Sequence, residues 1–455
     1  MPKHIHFIGI GGSSMSGIAE LAMSKGYIIS GSDRVENDRV IKLRSMGATV
    51  YTVQQATNIS DDIDLVIYTL AIAHDNPELL EAQRRGIPTV ERGVYLGQFA
   101  KMYPYTVAVS GTHGKTTTTS MIASIMISAS KEPCIHIGGV LERIHNNVLP
   151  SEGDYFVTEA CEYHANFLNI KPYAAVITNI EAEHLDYYKT FENIISCFTE
   201  FVDLCSEDGF IVICGHDANT SVVTANAKCR VITYGLDNNF DYYATNININ
   251  QNNTSFTLCS NISNSKFDVV INVPGQHNVL NSIAACATCL ELGCDIDSIR
   301  DGLMKYRGTG RRFEYVGNVN GAPLIDDYAH HPTEIKATLE AARGKMNKDG
   351  KLYAIFQPHT FSRAISFFEL YPDALKLADD LIVTDIYSAR EIDTKQVSGS
   401  SMSDYYVTKG INSKHISDFD DIVRYLCENV CEKDMVVMLS AGDLNIITQK
   451  IMKNS

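Results

Sequence analysis

Three observations predict a three-domain α/β chain. At 455 residues the chain is too long to bury around one hydrophobic core, and two to four domains are expected. Apolar strand-like runs alternate with helical patterns over most of its length, as in parallel sheets joined by crossover helices. Two glycine-rich loops, near residues 9 and 111, each follow a strand and open a helix, which is how α/β domains bind nucleotides. The segments are read as 1–104, a Rossmann-like domain; 105–306, a central P-loop domain on a parallel sheet; and 307–455, a second Rossmann-like α/β domain.

Composition sets the bounds. The hydrophobic fraction, 45%, is ordinary for a globular chain, and the net charge is −16. No basic patch stands out, so nucleic acid is not expected as a partner. No apolar run is long enough to span a bilayer. Met1-Pro2-Lys3-His4 leads straight into a strand, so no signal peptide is expected. The 12 cysteines have no framework spacing, and Cys286-Ala287-Thr288-Cys289 lies in an Ala/Leu-rich helical pattern, where buried thiols are the better reading than a metal site. A reducing cytoplasm fits. The sequence leaves monomer and homodimer open.

The central segment opens on Val107-Ala108-Val109-Ser110-Gly111-Thr112-His113-Gly114-Lys115-Thr116-Thr117. Glycines let backbone N–H groups turn inward, and the following helix, expected from Thr116 to about Ala129, adds a partial positive charge at its N-terminus. Lys115 is expected to reach the β- and γ-phosphates of ATP and the Thr116 hydroxyl to ligate Mg²⁺. The loop is compressed: only Thr112 and His113 separate the two glycines, where the general pattern has four residues. Further along, Tyr155–Thr158 and Ala174–Ile180 read as strands, and Glu159, Glu162, Asn179, His184 and Asp186 fall at their ends, where parallel sheets bind ligands. Two Mg²⁺ sites are read there, Thr116 with Glu159 for one and His184 for the other. For His184 the residues alone leave a metal ligand and a hydrogen-bonded strand-end histidine level. An Asn-rich run, 243–265, alternates with apolar residues and reads as hairpin strands.

In the first segment a strand, His4–Ile8, meets Gly9-Ile10-Gly11-Gly12-Ser13-Ser14-Met15-Ser16-Gly17, then a helix expected from Ile18 to about Ser24. Asp33 follows the second strand, where an acid contacts a ribose. NAD and a UDP-sugar both offer a diphosphate and a ribose. The UDP-sugar is favoured, because the P-loop brings its own nucleotide and no domain for hydride transfer is visible. Arg92 reads equally as a phosphate contact or a solvated loop residue.

The compressed loop Gly111-Thr112-His113-Gly114-Lys115-Thr116-Thr117 resembles that of the Mur ligases, ATP-dependent amide-forming enzymes of cell-wall precursor synthesis. Asn179-Ile180-Glu181-Ala182-Glu183-His184-Leu185-Asp186 matches a signature of the same family, as does the order of motifs over the whole chain. Asp326-Asp327-Tyr328-Ala329-His330-His331-Pro332-Thr333-Glu334 is similar to the stretch of the L-alanine-adding branch; the tripeptide-recycling branch usually has Phe in place of Tyr328 and lacks Glu334.

The resemblance implies that L-alanine is joined to the lactyl carboxylate of UDP-N-acetylmuramate through an acyl phosphate, with ATP and Mg²⁺. It implies that Gly9, Gly11, Gly12, Ser14, Met15, Ser16 and Asp33 hold the UDP part, and that His277, Asn278 and Asn281 approach the adenine. His184 becomes metal-associated. Arg312, after the glycine-rich joint Gly308-Thr309-Gly310, reaches the ATP phosphates. Tyr328, His330 and His359 line the L-alanine pocket, and Arg363 clamps the amino-acid carboxylate. His330 is a candidate base for the amine. Three departures from the family pattern stand out: Val53-Gln54 for Gly-His, Thr360 where some relatives have Arg, and Ser440 for Gly. The alternatives are a sister ligase and a non-enzymatic nucleotide-binding adaptor; against the latter, no guanine-reading Asn-Lys-x-Asp follows the P-loop.

Overall fold

The computed structural model describes residues 3–250, 253–389 and 391–454. Met1, Pro2, two residues of the Asn-rich run (Gln251 and Asn252), Arg390 and Ser455 lie outside the described residues. Three sheets organise the chain. The first comprises β1 (His4–Ile8), β2 (Ile28–Ser32), β3 (Thr49–Tyr51), β4 (Leu65–Tyr68) and β5 (Thr89–Glu91), in the order β3-β2-β1-β4-β5, all parallel. The chain crosses outward from β1 in opposite directions, so β1 carries the switch point at which doubly wound sheets take their ligands.

The second sheet comprises β6 (Tyr105–Ser110), β7 (Cys134–Leu141), β8 (Asn146–Leu149), β9 (Tyr155–Glu159), β10 (Ala174–Ile177), β11 (Phe210–Cys214), β12 (Arg230–Gly235), β13 (Tyr242–Ile249), β14 (Thr254–Ser260) and β15 (Lys266–Ile271). Its order is β15-β14-β13-β12-β11-β10-β6-β9-β7-β8. β6 sits between β10 and β9, parallel to both, with Ser110 beside Ile177 and Val109 beside Glu159. That register brings the phosphate loop and the polar ends of β9 and β10 to one edge. The Asn-rich run forms β13 and β14 and the turn toward β15, as its alternation predicts.

The third sheet comprises β16 (Glu314–Val319), β17 (Ala322–Asp327), β18 (Leu352–Phe356), β19 (Asp380–Val383), β20 (Ser413–His415) and β21 (Met435–Leu439), in the order β16-β17-β21-β18-β19-β20, with β16 antiparallel. β18 and β21 are buried throughout, which is why they read as continuous apolar runs.

The chain divides into two compact units. One takes residues up to 245 with 257–269 and 280–306; the other takes 307–455 with 246–256 and 270–279. The first sheet and strands β6–β12 of the second therefore share a unit, and one apolar core runs through both, with Phe99 and Tyr103 packed on Phe156. The helix Arg92–Ala100 makes this possible: a Cβ at Gly97 would stand 2.1 Å from the Asn169 carbonyl oxygen, so only glycine allows the approach. Cys286 and Cys289 are buried on the helix Gln276–Glu291. Among the described residues no helix is long and apolar enough to cross a membrane.

One boundary needs correcting. The first helix runs Ser13–Ser24 and not from Ile18, capped by Gly12 in extended conformation. Ser14, Met15 and Ser16 thus belong to its first turn. Met15 is in the core, and the Ser16 hydroxyl turns back to the Ser13 carbonyl at 3.0 Å. What these two residues can offer a diphosphate is their backbone.

Candidate active site

β6 ends at Ser110 and the helix Lys115–Ser128 begins directly after Gly114, one residue earlier than expected. Gly111 (φ +130°) and Gly114 (φ +81°) take conformations that disfavour a side chain. A Cβ at Gly111 would also meet Thr178 Oγ1 at 2.1 Å, and one at Gly114 would meet Asn281 Oδ1 at 2.6 Å.

The shortened loop is held from outside, by the end of β10. The Thr112 N–H donates to the Asn179 carbonyl (3.0 Å), the His113 N–H to Asn179 Oδ1 (2.8 Å), and Asn179 Nδ2 to the His113 carbonyl (3.0 Å). The Thr178 hydroxyl donates to that carbonyl too (2.5 Å), and the Glu181 N–H donates to Thr112 Oγ1 (2.8 Å). Thr116 and Thr117 are buried in the first helical turn.

Lys115 lies over this loop. Its Nζ donates to the Gly111 and Thr112 carbonyls and pairs with Glu162 at 2.9 Å. Glu162 is buried and also faces His184 Nε2 at 3.6 Å. Burial works against the ammonium charge of Lys115, but Glu162 outweighs it, with Cys161 and Glu159 adding, and holds the lysine above its usual range. Burial likewise opposes the Glu162 charge; Lys115 and His184 overcome it and hold the carboxyl below its usual range. Glu162 was placed by sequence reasoning at these strand ends but given no role in the site. The available signal was its place three residues after Glu159, at the end of the strand beside β6.

His184 adopts a left-handed conformation (φ +56°), uncommon for a residue with a Cβ and of the kind that collects at functional sites. The Tyr163 ring stacks on it with centroids 4.3 Å apart, and the Tyr163 hydroxyl donates to Asp186 (3.1 Å). Asp186 thus braces the site. Glu159 accepts the Gly138 N–H at 2.6 Å.

In the first sheet the Gly11 N–H donates to Asp33 Oδ2 at 2.8 Å, and the Val35 N–H donates to Oδ1 at 3.1 Å. Asp33, expected at a ribose, therefore also shapes the glycine loop. Gly9 (φ +83°) has no room for a Cβ against Thr69. Ser14 Oγ is hydrogen-bonded to His136 Nε2 and accepts from Arg92, both at 3.1 Å. Arg92 is thus neither free nor merely solvated. Gln54, one of the departures, accepts from Asn76 Nδ2 (2.9 Å).

In the second unit Arg311 is structural. Its side chain reaches Asp326 (3.2 Å) and the carbonyls of Ser440 (2.5 Å) and Gly442 (3.1 Å). Arg312 pairs with Glu334 at 3.6 Å and lies over the Tyr328 ring. Glu334 also faces His330 (3.4 Å) and completes the capping box of the helix Pro332–Lys345 with His331. Arg363 Nη1 hydrogen-bonds His359 Nδ1 at 2.9 Å, and the His359 and His330 rings lie 5.8 Å apart. Tyr328, His330, His359 and Arg363 are thus linked around one patch of strand ends. Burial, only partly offset by Arg312, pushes Asp327 up to about 6. Thr360 caps the helix Phe361–Ser366 (φ +63°), and the Ser440 hydroxyl bridges Gln357 (2.6 Å) and the Gly442 N–H (2.8 Å), so both departures have local structural tasks.

Of the residues expected at the adenine, Asn281 packs on Gly114. Asn278 Nδ2 donates to the Pro274 carbonyl (2.6 Å), and His277 is exposed on the first helical turn.

Comparison with known proteins gives the family. Three family descriptions match in sequence: "Mur ligase family, catalytic domain" over residues 4–104, "Mur ligase middle domain" over 109–289 and "Mur ligase, glutamate ligase domain" over 311–442. The UDP-N-acetylmuramate–L-alanine ligase of Clostridium acetobutylicum is 44% identical over 442 residues, 97% of this chain and 96% of that one. The enzyme of that name from Acetivibrio thermocellus is 43% identical, covering 99% and 96%. Among solved structures, the UDP-N-acetylmuramate–alanine ligase of Thermotoga maritima superposes with a TM-score of 0.85 at 28% identity, covering 99% of this chain and 98% of that one. A murein peptide ligase from Psychrobacter arcticus superposes at 0.75 with 25% identity, covering 99% and 98%. With all three family segments matched in order, and relatives above 40% identity along nearly the full chain, the protein belongs to the Mur ligase family.

Proposed function

We propose that the chain is an ATP-dependent ligase that joins L-alanine to the lactyl carboxylate of UDP-N-acetylmuramate, in the cytoplasmic stage of peptidoglycan precursor synthesis. The observation that carries this is the Lys115–Glu162–His184 cluster at the phosphate loop, in a chain aligned almost end to end with relatives named for that reaction. Residues 1–104 hold the sugar nucleotide, 105–306 hold ATP, and 307–455 bring the amino acid.

In this reading a carboxylate oxygen of the lactyl group attacks the γ-phosphorus and ADP leaves. The L-alanine amine then attacks the acyl carbon of the resulting acyl phosphate, loses a proton, and phosphate departs. The N–H groups of residues 114–117, at the N-terminus of the helix, hold the polyphosphate, while those of Thr112 and His113 stay on Asn179. Lys115 moves from its loop carbonyls to the β- and γ-phosphates and neutralises charge developing on the transferring group. Arg363 clamps the L-alanine carboxylate, with Tyr328, His330 and His359 around the side chain. His330, held by Glu334 and the Tyr328 carbonyl, is the candidate base for the amine proton.

The donor set suits Mg²⁺. The Thr116 hydroxyl and Glu159 carboxylate are oxygen ligands of the kind it prefers, with His184 for a second ion. Bound there, Mg²⁺ would supply charge stabilisation at the transferring phosphoryl group.

The test is phosphate release from Mg-ATP with UDP-N-acetylmuramate, with and without L-alanine, followed by mass spectrometry of the sugar nucleotide. Release is expected only with both substrates, with the product heavier by one alanyl residue. Turnover with a tripeptide but not with L-alanine would replace this reading by the recycling reaction.

A further inference from the structure

Asn76-Pro77-Glu78 starts the helix Pro77–Arg84 in the first sheet, yet Glu78 has a task beyond the helix. Its carboxylate is 0% exposed, and a buried carboxylate persists only where its neighbours justify it. Oε2 accepts the Ser32 hydroxyl at 2.5 Å and faces His6 Nε2 at 3.6 Å; Oε1 accepts Asn58 Nδ2 at 2.5 Å. Asn58 in turn donates to the Val53 carbonyl at 2.7 Å. One side chain after β4 thus ties down the last residue of β2 and the segment after β3.

Ser32 leads directly to the glycine loop. Its carbonyl accepts the Gly9 N–H (2.8 Å) and the Ile10 N–H (3.0 Å), and the next residue, Asp33, accepts the Gly11 N–H. Gln54 completes the set, donating to Ser32 Oγ at 3.4 Å. Hydrogen bonds of 2.5–3.0 Å thus connect Glu78 through Ser32 to the start of the loop, at the switch point of the sheet.

We infer that Glu78 is a positioning residue for the sugar-nucleotide site: through Ser32 it sets the glycine loop that takes the diphosphate, and through Asn58 it sets the Val53-Gln54 turn beside it. This rests on the UDP-sugar reading of the first segment.

The test uses the full chain with Glu78→Gln, Ser32→Ala and the double variant. Replacing one oxygen of Glu78 by an NH₂ either sets donor against donor at Asn58 or, turned to Ser32, takes away the acceptor of its hydroxyl proton, while Ser32→Ala removes only a hydroxyl. Each single change is expected to raise the KM for UDP-N-acetylmuramate about tenfold, while kcat and the KM values for ATP and L-alanine move less than about twofold. The double variant is expected to be no worse than the poorer single one, because both changes break one path. A merely structural role would move all three KM values together or lower kcat, and either result overturns the inference. If Glu78→Gln does not fold, Ser32→Ala alone decides: an unchanged sugar-nucleotide KM overturns it. Calorimetry separates the two layers. A wild-type chain that does not bind UDP-N-acetylmuramate sinks the substrate reading and the inference together; a wild-type chain that binds, with variants that bind equally well, sinks the inference alone.

Discussion

Lys115 and Glu162 are largely buried partners, so removing one strands the other. Glu162→Gln leaves a buried ammonium without its counter-charge, a change of about 3 kcal/mol in comparable pairs. The expected outcome is a lower unfolding midpoint in urea, together with a kcat at least tenfold lower; a variant with wild-type stability and rate would remove Glu162 from the site. His136 gives a pH-dependent counterpart. Burial, and then the neighbouring Arg92, push its ring down to about 4 from an ordinary 6.5. The fold therefore prefers the neutral ring, and the unfolded chain binds the extra proton between those values. The associated stability is complete above pH 6.5 and is lost as the pH falls toward 4, on the order of 3 kcal/mol in all. The stability gap between wild type and His136→Gln is expected to narrow between pH 7.5 and 4.5; a constant gap would contradict the assignment. At this scale the sequence was uneven. The place of Lys115 on the phosphate loop was legible from the glycines around it, whereas the role of Arg363 came only from the family resemblance. Met15 was misleading, since its membership of a glycine-rich run says nothing about which way the side chain points.

The phosphate loop shows how an element borrows stiffness. Two residues between its glycines are too few to wrap a polyphosphate unaided, and the β10 end supplies the frame through Thr178 and Asn179. Gly111→Ala would place a Cβ 2.1 Å from Thr178 Oγ1 in a backbone region that disfavours side chains. Strain of about 1–3 kcal/mol is expected there. Displacing the loop by even 1 Å is expected to cost about 10²-fold in rate. Phosphate-release kinetics on the folded variant check this, and an unimpaired enzyme would mean that the loop yields freely. The two glycines and the lysine were readable from their spacing. The latch was not, because the segments concerned lie about 65 residues apart and meet only when β6 and β10 pair. The early start of the first helix has a similar origin: Ser13 to Gly17 carry no helical signature, and packing of Met15 into the core selects the helix.

Across the whole molecule, two glycine loops on two sheets within one unit are assigned to two different ligands. Amide exchange tests this directly. UDP-N-acetylmuramate is expected to slow exchange at residues 9–16 and 33–35 and leave 111–117 largely unchanged, while an ATP analogue does the reverse. Protection of both loops by ATP alone would contradict the division of labour. The sequence by itself determined the α/β class, the three sheets and the family, because periodicity and loop chemistry are local and each motif carries its own spacing. Only the tertiary structure decided that the first two sheets share one core, that Glu162 stands between Lys115 and His184, and that Glu78 reaches Ser32 from across the sheet. Those outcomes depend on register and on close approaches such as that of Gly97 to Asn169, and long-range pairings of this kind leave no periodic trace in a single chain.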